Sequence, residues 1–85
     1  MYKVVYLDSV EKDLKRLDRP VRKRILDKIE THLAKDPQSL GKALAGEFQG
    51  LWRYRVGDFR VIYKIAEKEI LIIVARVGHR KNVYD

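Results

Sequence analysis

The chain has no cysteine among its 85 residues, only two prolines, and one each of methionine and tryptophan. Without cysteine there is no disulfide framework, thiol nucleophile or thiolate metal site. Acidic side chains are the scarcer charge: 12 Asp plus Glu stand against 19 Lys plus Arg, for a net charge of +7. That balance points to an acidic partner, either nucleic acid, an acidic protein, or both. No stretch approaches the roughly 18 apolar residues of a membrane span, and the N-terminal MYKVVYLDS has no signal-peptide pattern. The expected location is therefore cytoplasmic, with no membrane contact. No metal-ligand spacing occurs, and Gly41, Gly46 and Gly50 match no phosphate loop and read as ordinary turns. Neither a metal nor a small-molecule cofactor is expected. Hydrophobic residues still make up 46% of the chain, which argues for one folded domain over residues 1–85 and against a disordered basic tail.

The most informative stretch is Leu51 to Ile65, LWRYRVGDFRVIYKI. Gly57-Asp58 separates two runs of β-branched and aromatic residues, the pattern of a hairpin with a two-residue loop. Counting outward pairs Val56 with Phe59, Arg55 with Arg60, Tyr54 with Val61, Arg53 with Ile62 and Trp52 with Tyr63. Period two then puts Trp52, Tyr54, Val56, Phe59, Val61, Tyr63 and Ile65 on one face, wanting a core. Arg53, Arg55, Arg60 and Lys64 take the other, with Leu51 and Ile62 among them. Like charges directly opposite each other destabilise a sheet by up to about 1 kcal/mol per pair. An anion is the simplest compensation for Arg55 against Arg60, and a planar guanidinium suits phosphate. A solvated polar face is the plainer alternative.

Around this hairpin, Tyr2 to Leu7 reads as a strand, and Asp8 with Glu11 has the spacing of a capping box. Val10, Leu14 and Leu17 make the stripe of a first helix ending at Asp18-Arg19-Pro20. Pro20 suits the first turn of a second helix, striped by Val21, Ile25, Leu26, Ile29 and Leu33 and running to about Lys35. Its His32 reads as a surface residue at the helix end. Gln38 to Gly50 reads as a loop with a helical turn around Lys42 to Ala45, and Ile70 to Val77 as a third strand of the meander after a Glu67-Lys68 turn. The order is β-α-α-β-β-β, an α+β fold in which a two-helix hairpin covers one face of a mainly antiparallel four-stranded sheet.

A two-residue turn at Glu67-Lys68 would set Arg60 opposite Ala75, a small floor. The chain leaving the sheet would then bring His79, Arg80 and Tyr84 to Arg53, Arg55 and Arg60. No carboxylate pair converges there, and Ser9 and Ser39 lie far off in sequence, so Ser-His-Asp chemistry is unsupported. RNA cleavage needs no protein nucleophile, because the 2′-hydroxyl can attack its own phosphate. The protein then has to accept a proton, stabilise phosphoryl charge and assist the leaving oxygen. Arginines can do the second. Tyr84 or His79 could do the first, although an unperturbed tyrosine has a pKa of about 10. Binding of RNA phosphate without cleavage is the simpler use of the same residues.

The two-helix N-terminal half, L-x-G-x-F-x-G-L-W-R-Y-R-V-G-D-F-R-V-I-Y across Leu44 to Tyr63, and V-G-H-R-K-N-V-Y at Val77 to Tyr84 together resemble the RelE/ParE superfamily of toxins from type II toxin–antitoxin modules. The resemblance covers essentially the whole chain. It implies a ribosome-dependent endoribonuclease that cuts mRNA in the A site and is held inactive by a cognate RelB-like antitoxin with an acidic segment. It also implies that Arg60 contacts the scissile phosphate, that Arg80 acts as acid or charge stabiliser, and that Tyr84 is the base. Arg53 and Arg55 fall at basic positions of the family, and with His79 and Lys81 they are the phosphate-binding candidates. ParE-like members, which poison DNA gyrase, lack this basic and tyrosine set. Arg60, Arg80 and Tyr84 therefore favour the nuclease branch over a gyrase poison.

Overall fold

The fold follows from where each amphipathic segment can bury its stripe. The computed structural model describes residues 1–80. Strand β1 (Lys3–Tyr6) leads into helix α1 (Asp8–Lys15) and helix α2 (Arg19–Thr31); a short helix α3 (Pro37–Leu40) and strand β2 (Lys42–Ala43) precede the long strands β3 (Trp52–Val56), β4 (Phe59–Ala66) and β5 (Leu71–His79). Among the described residues the strands form one five-stranded sheet in the order β1-β5-β4-β3-β2. The β1–β5 pair is parallel and the other three pairs are antiparallel.

The helices present Val10, Ile25 and Ile29, with Leu33 from the 3₁₀ turn after α2, to Val56, Val61, Tyr63, Ile72, Val74 and Val77 of the sheet. Trp52, Tyr54, Phe59 and Ile65 pack against the edge of this core, so the expected hairpin alternation is the one observed. Full burial of an Ile or Val is worth about 1.5–3 kcal/mol, and a one-residue slip would forfeit that along a whole strand. The hairpin pairing also agrees residue for residue, Arg55 opposite Arg60 included.

Four details differ from expectation. The sheet has five strands, not four, because Lys42 and Ala43 are extended and pair with Arg53 and Trp52. The helical turns of that segment fall on either side of these two residues, at α3 and at the 3₁₀ turn Gly46–Phe48. Asp36 starts α3 by accepting a hydrogen bond from the Ser39 N–H at 3.4 Å. No capping box closes on α1: Asp8 and Glu11 lie in its first turn, where their charge suits the helix dipole, but no side chain caps it. Finally, Arg60 lies opposite Gly78, not Ala75. Two additions cause that shift. The β4–β5 connection spans Glu67 to Ile70, closed by the Ile70 N–H donating to the Glu67 carbonyl at 3.1 Å, and Ala75 is an extra residue that bulges from β5.

Tyr63 ties α3 to the centre of the sheet. Its ring is wholly buried, and its hydroxyl donates to the Pro37 carbonyl at 2.6 Å. Gly41 is the residue over which the hydroxyl passes: a β-carbon there would overlap the Tyr63 Oη and lie 2.8 Å from Cζ. Gly41→Ala should therefore lower stability by about 1–3 kcal/mol, seen as a drop in urea midpoint. Burial also pushes the Tyr63 phenol above its ordinary value. The unfolded chain releases that proton above about pH 10, while the folded chain keeps it, so this stability is complete below pH 10 and falls as pH rises further. Alkaline unfolding followed by circular dichroism should show a shallower decline above pH 10 in Tyr63→Phe.

Candidate functional site

The basic face is built by strand register. β3 and β4 place Arg55 directly opposite Arg60, and β2 adds a second like-charged pair, Lys42 opposite Arg53. The sequence places Lys42 in a loop with a helical turn and does not mark it for the site, since a two-residue strand leaves no period to read. Lys42, Arg53 and Arg55 line a shallow hollow of about 280 Å³ with Leu40, Gly41 and Tyr54. Arg55 is exposed and Arg53 half-buried, while Arg60 is only 4% exposed. A buried guanidinium needs acceptors. Arg60 Nη1 donates to the carbonyls of Gly57 at 3.4 Å and Phe59 at 3.3 Å. Its cross-strand neighbour Gly78 has no side chain to compete for the space above it.

The hairpin tip gathers more of the predicted set. Gly57 takes a φ of +59°, a conformation that costs glycine nothing. The next residue, Asp58, accepts the Arg80 backbone N–H on its carbonyl at 2.8 Å, so the Arg80 main chain is held at the tip, two residues beyond the Gly78 that lies opposite Arg60. His79 goes elsewhere. It pairs with Phe59, which belongs to the helix-covered face, and its ring meets Phe59 edge-on with centroids 5.7 Å apart. There it lines a small pocket of about 170 Å³ with Asp13, Arg16, Leu17 and Arg76. Neighbouring strand residues point to opposite faces, so the register brings Arg53, Arg55 and Arg60 together and separates His79 from them. The expected positions of Lys81 and Tyr84 lie outside the described residues.

Helix α1 positions this end of β5. Ser9 Oγ donates to the carbonyl of the bulged Ala75 at 2.6 Å, and Asp13, one turn later, accepts the Val77 N–H at 2.9 Å. The Asp13 carboxylate also takes a two-pronged contact from Arg76, Nε to Oδ2 at 2.9 Å and Nη2 to Oδ1 at 3.2 Å. The bulge changes the parity of the strand, so Val77 follows Val74 into the core and Gly78 turns to Arg60. Neither Ser9 nor Asp13 was singled out from the sequence as a support for the site. Among the described tyrosines, burial raises the pKa of Tyr54, Tyr63 and Tyr6, the last also through its hydrogen bond to Glu30. Each is thereby disfavoured as a proton acceptor near neutrality.

A two-helix hairpin over one face of this sheet, with arginines crowded on the other, defines a toxin of the RelE/ParE superfamily. The chain belongs to the family described as the ParE toxin of the type II toxin–antitoxin system parDE, whose model matches residues 4–84. It is 26% identical over 83 residues to toxin RelG of Mycobacterium tuberculosis, covering 98% of this chain and 95% of that toxin. Toxin RelE of the same organism is 28% identical over 83 residues, covering 98% of this chain and 86% of that toxin. Among solved structures, the RelBE2 toxin–antitoxin complex of M. tuberculosis superposes with a TM-score of 0.89 at 26% identity, over 93% of this chain and 98% of that one. The archaeal RelE–RelB complex of Pyrococcus horikoshii gives 0.71 at 26% identity, over 96% and 98%. The protein is thus a toxin of a type II toxin–antitoxin system.

The Asp13 contacts carry a measurable consequence. Asp13→Ala leaves the buried Val77 N–H without its acceptor and removes the two-pronged contact to Arg76. A buried donor left unmade costs about 1–3 kcal/mol, so the variant should unfold at lower urea. Hydrogen exchange should show the loss of protection concentrated at Val77.

Proposed function

We propose that this toxin is a ribosome-dependent endoribonuclease, working without a protein nucleophile on mRNA in the A site. The observation that carries this reading is Arg60: a guanidinium buried in the sheet, facing Arg55 across one strand pair and Gly78 across the next. A folded sheet gains nothing from opposing two arginines. A phosphate placed over them relieves the repulsion and gains charge-assisted hydrogen bonds. The 26% identity to solved RelE–RelB-type toxins supports the same branch.

In the reaction the 2′-hydroxyl loses its proton and attacks the adjacent phosphorus. The bond to the 5′-oxygen breaks as that oxygen gains a proton, leaving a 2′,3′-cyclic phosphate and a 5′-hydroxyl. Arg60 holds the non-bridging oxygens as charge accumulates on them, and Arg80, anchored at the hairpin tip, stabilises that charge or protonates the leaving oxygen. Tyr84 is assigned as the base. Arg53 and Arg55, with Lys42 beside them, hold the flanking backbone, and Lys81 completes the phosphate-binding set; His79, turned to the helix-covered face beside Phe59, is left out of it. A RelB-like antitoxin would silence the toxin by laying an acidic segment on the basic face, steered there by the net charge of +7.

The matching family model is named for ParE, which supports a second reading, inhibition of DNA gyrase. Primer extension on mRNA from cells expressing the toxin separates the two: new 5′ ends within translated codons are expected, whereas DNA breaks with intact mRNA would replace the nuclease reading. On programmed ribosomes, Tyr84→Phe should slow single-turnover cleavage by about 10²–10⁴-fold with little change in ribosome affinity, because a base matters only when the proton moves. Arg60→Ala should slow cleavage and weaken binding together. Full activity in Tyr84→Phe with collapse in His79→Ala would hand the base role to His79.

A further inference from the structure

Arg24 joins the site from a direction that the sequence does not suggest. It lies on α2, exposed, immediately before the buried Ile25. Its guanidinium lies against the hairpin tip: Nη2, Nη1 and Cζ are 3.4, 3.6 and 3.8 Å from where a β-carbon on Gly57 would sit. The Gly57-Asp58 turn therefore collects arginines from three elements. Arg24 comes from α2, Arg60 donates to the Gly57 carbonyl from β4, and Arg80 donates its N–H to the Asp58 carbonyl at the end of β5. Arg55 stands two residues before Gly57 on β3. Among the described residues Arg24 makes no ion pair or hydrogen bond that would neutralise it. One turn further along α2, Lys28, and just past its end His32, share with Arg24 a hollow of about 390 Å³ that is also lined by Lys23 and by one carboxylate, Asp27. The basic surface thus passes over the hairpin tip and continues along the helix.

We infer that Arg24 binds an RNA backbone phosphate next to the one cleaved, with Lys28 extending the track along α2, so that RNA crosses the tip as well as the sheet. This rests on the reading of the chain as an RNA-cleaving toxin. Nucleic-acid phosphate fits better than a single small anion, because the cationic groups run from the sheet over the tip and on along α2, farther than one small ion reaches. The phosphate can belong to mRNA or to ribosomal RNA. Either source predicts the signature of counterion release, a loss of about 0.7–1 in the slope of log affinity against log salt for each contact removed.

The test measures single-turnover cleavage against ribosome concentration at several potassium chloride concentrations for the wild type, Arg24→Gln, Arg24→Lys and Lys68→Gln. Lys68 lies in the β4–β5 turn, at the other end of β4 from the hairpin tip, and serves as the charge control. For Arg24→Gln the half-saturating ribosome concentration should rise several-fold at low salt, with a salt slope shallower by about 0.7–1. The saturating rate should change far less. Arg24→Lys should keep the wild-type salt slope, and Lys68→Gln should match the wild type throughout. Binding to ribosomes with and without mRNA locates the phosphate: a deficit in both places it in ribosomal RNA, and a deficit only with mRNA places it in the message.

A wild-type slope and half-saturation in Arg24→Gln overturn the inference. So does a fall in saturating rate alone, which would make Arg24 a support for the hairpin tip, or weakened antitoxin binding with unchanged cleavage. If the wild-type chain neither binds nor cleaves on ribosomes, the nuclease reading itself falls and this inference with it.

Discussion

The carboxylate of Asp13 is the constraint on which the basic site depends. It sits on α1, yet it holds the backbone of β5 at Val77 and the side chain of Arg76, while Ser9 holds the bulged Ala75 one helical turn away. A β-strand alternates strictly, so a single extra residue reverses which side chains face the core. With Ala75 extruded, Val77 stays buried and Gly78 comes opposite Arg60. The same helix that buries Val10 in the core thereby determines what lies beside the central arginine.

The two faces of the sheet obey different physics. Beneath the helices, aromatic and β-branched side chains interlock and exclude water. On the other face, Lys42 opposes Arg53 and Arg55 opposes Arg60, both arrangements that oppose folding. Arg60 shows the tension most clearly, since it is 4% exposed and its donors reach two carbonyls at hydrogen-bond lengths above 3.2 Å. Both carbonyls belong to the hairpin itself, so the turn and the strand it starts help to hold the guanidinium in place. Stability lost on this face is offset by the packing of the other, so one sheet serves both the core and the site.

How much of this was legible in the sequence varies by element. The hairpin register could be read directly, because Gly57 marks the turn and Trp52, Tyr54, Val56, Phe59, Val61 and Tyr63 alternate without interruption. The helical stripes were equally plain at Val10, Ile25 and Ile29. The bulge was not, for Ile72 to Val77 is a nearly continuous apolar run in which no local preference singles out Ala75. What decides it is contact with Ser9 and Asp13, 66 and 63 residues away from their partners Ala75 and Arg76. The two-residue strand at Lys42 is too short for periodicity to register. Arg24 was hidden for another reason: on a helix with this much surface charge, one more arginine carries no sign of what lies across from it.

The parallel pairing of β1 with β5 bears on how the protein comes into being. Lys3 to Tyr6 align with Leu71 to Val74, so the first strand is completed by the last described one. Contacts this distant in sequence form late, because closing so long a loop costs entropy before any pairing repays it. During synthesis the helices can form early, but the sheet stays open until Leu71 to His79 has emerged from the ribosome. At translation speeds of about 5–20 residues per second, the nascent chain passes seconds with β1 waiting for its neighbour. Register therefore acts as a timer: the hairpin can oppose Arg55 to Arg60 early, but Gly78 comes to Arg60 and β1 finds its neighbour only after the last described strand has left the machine that made it.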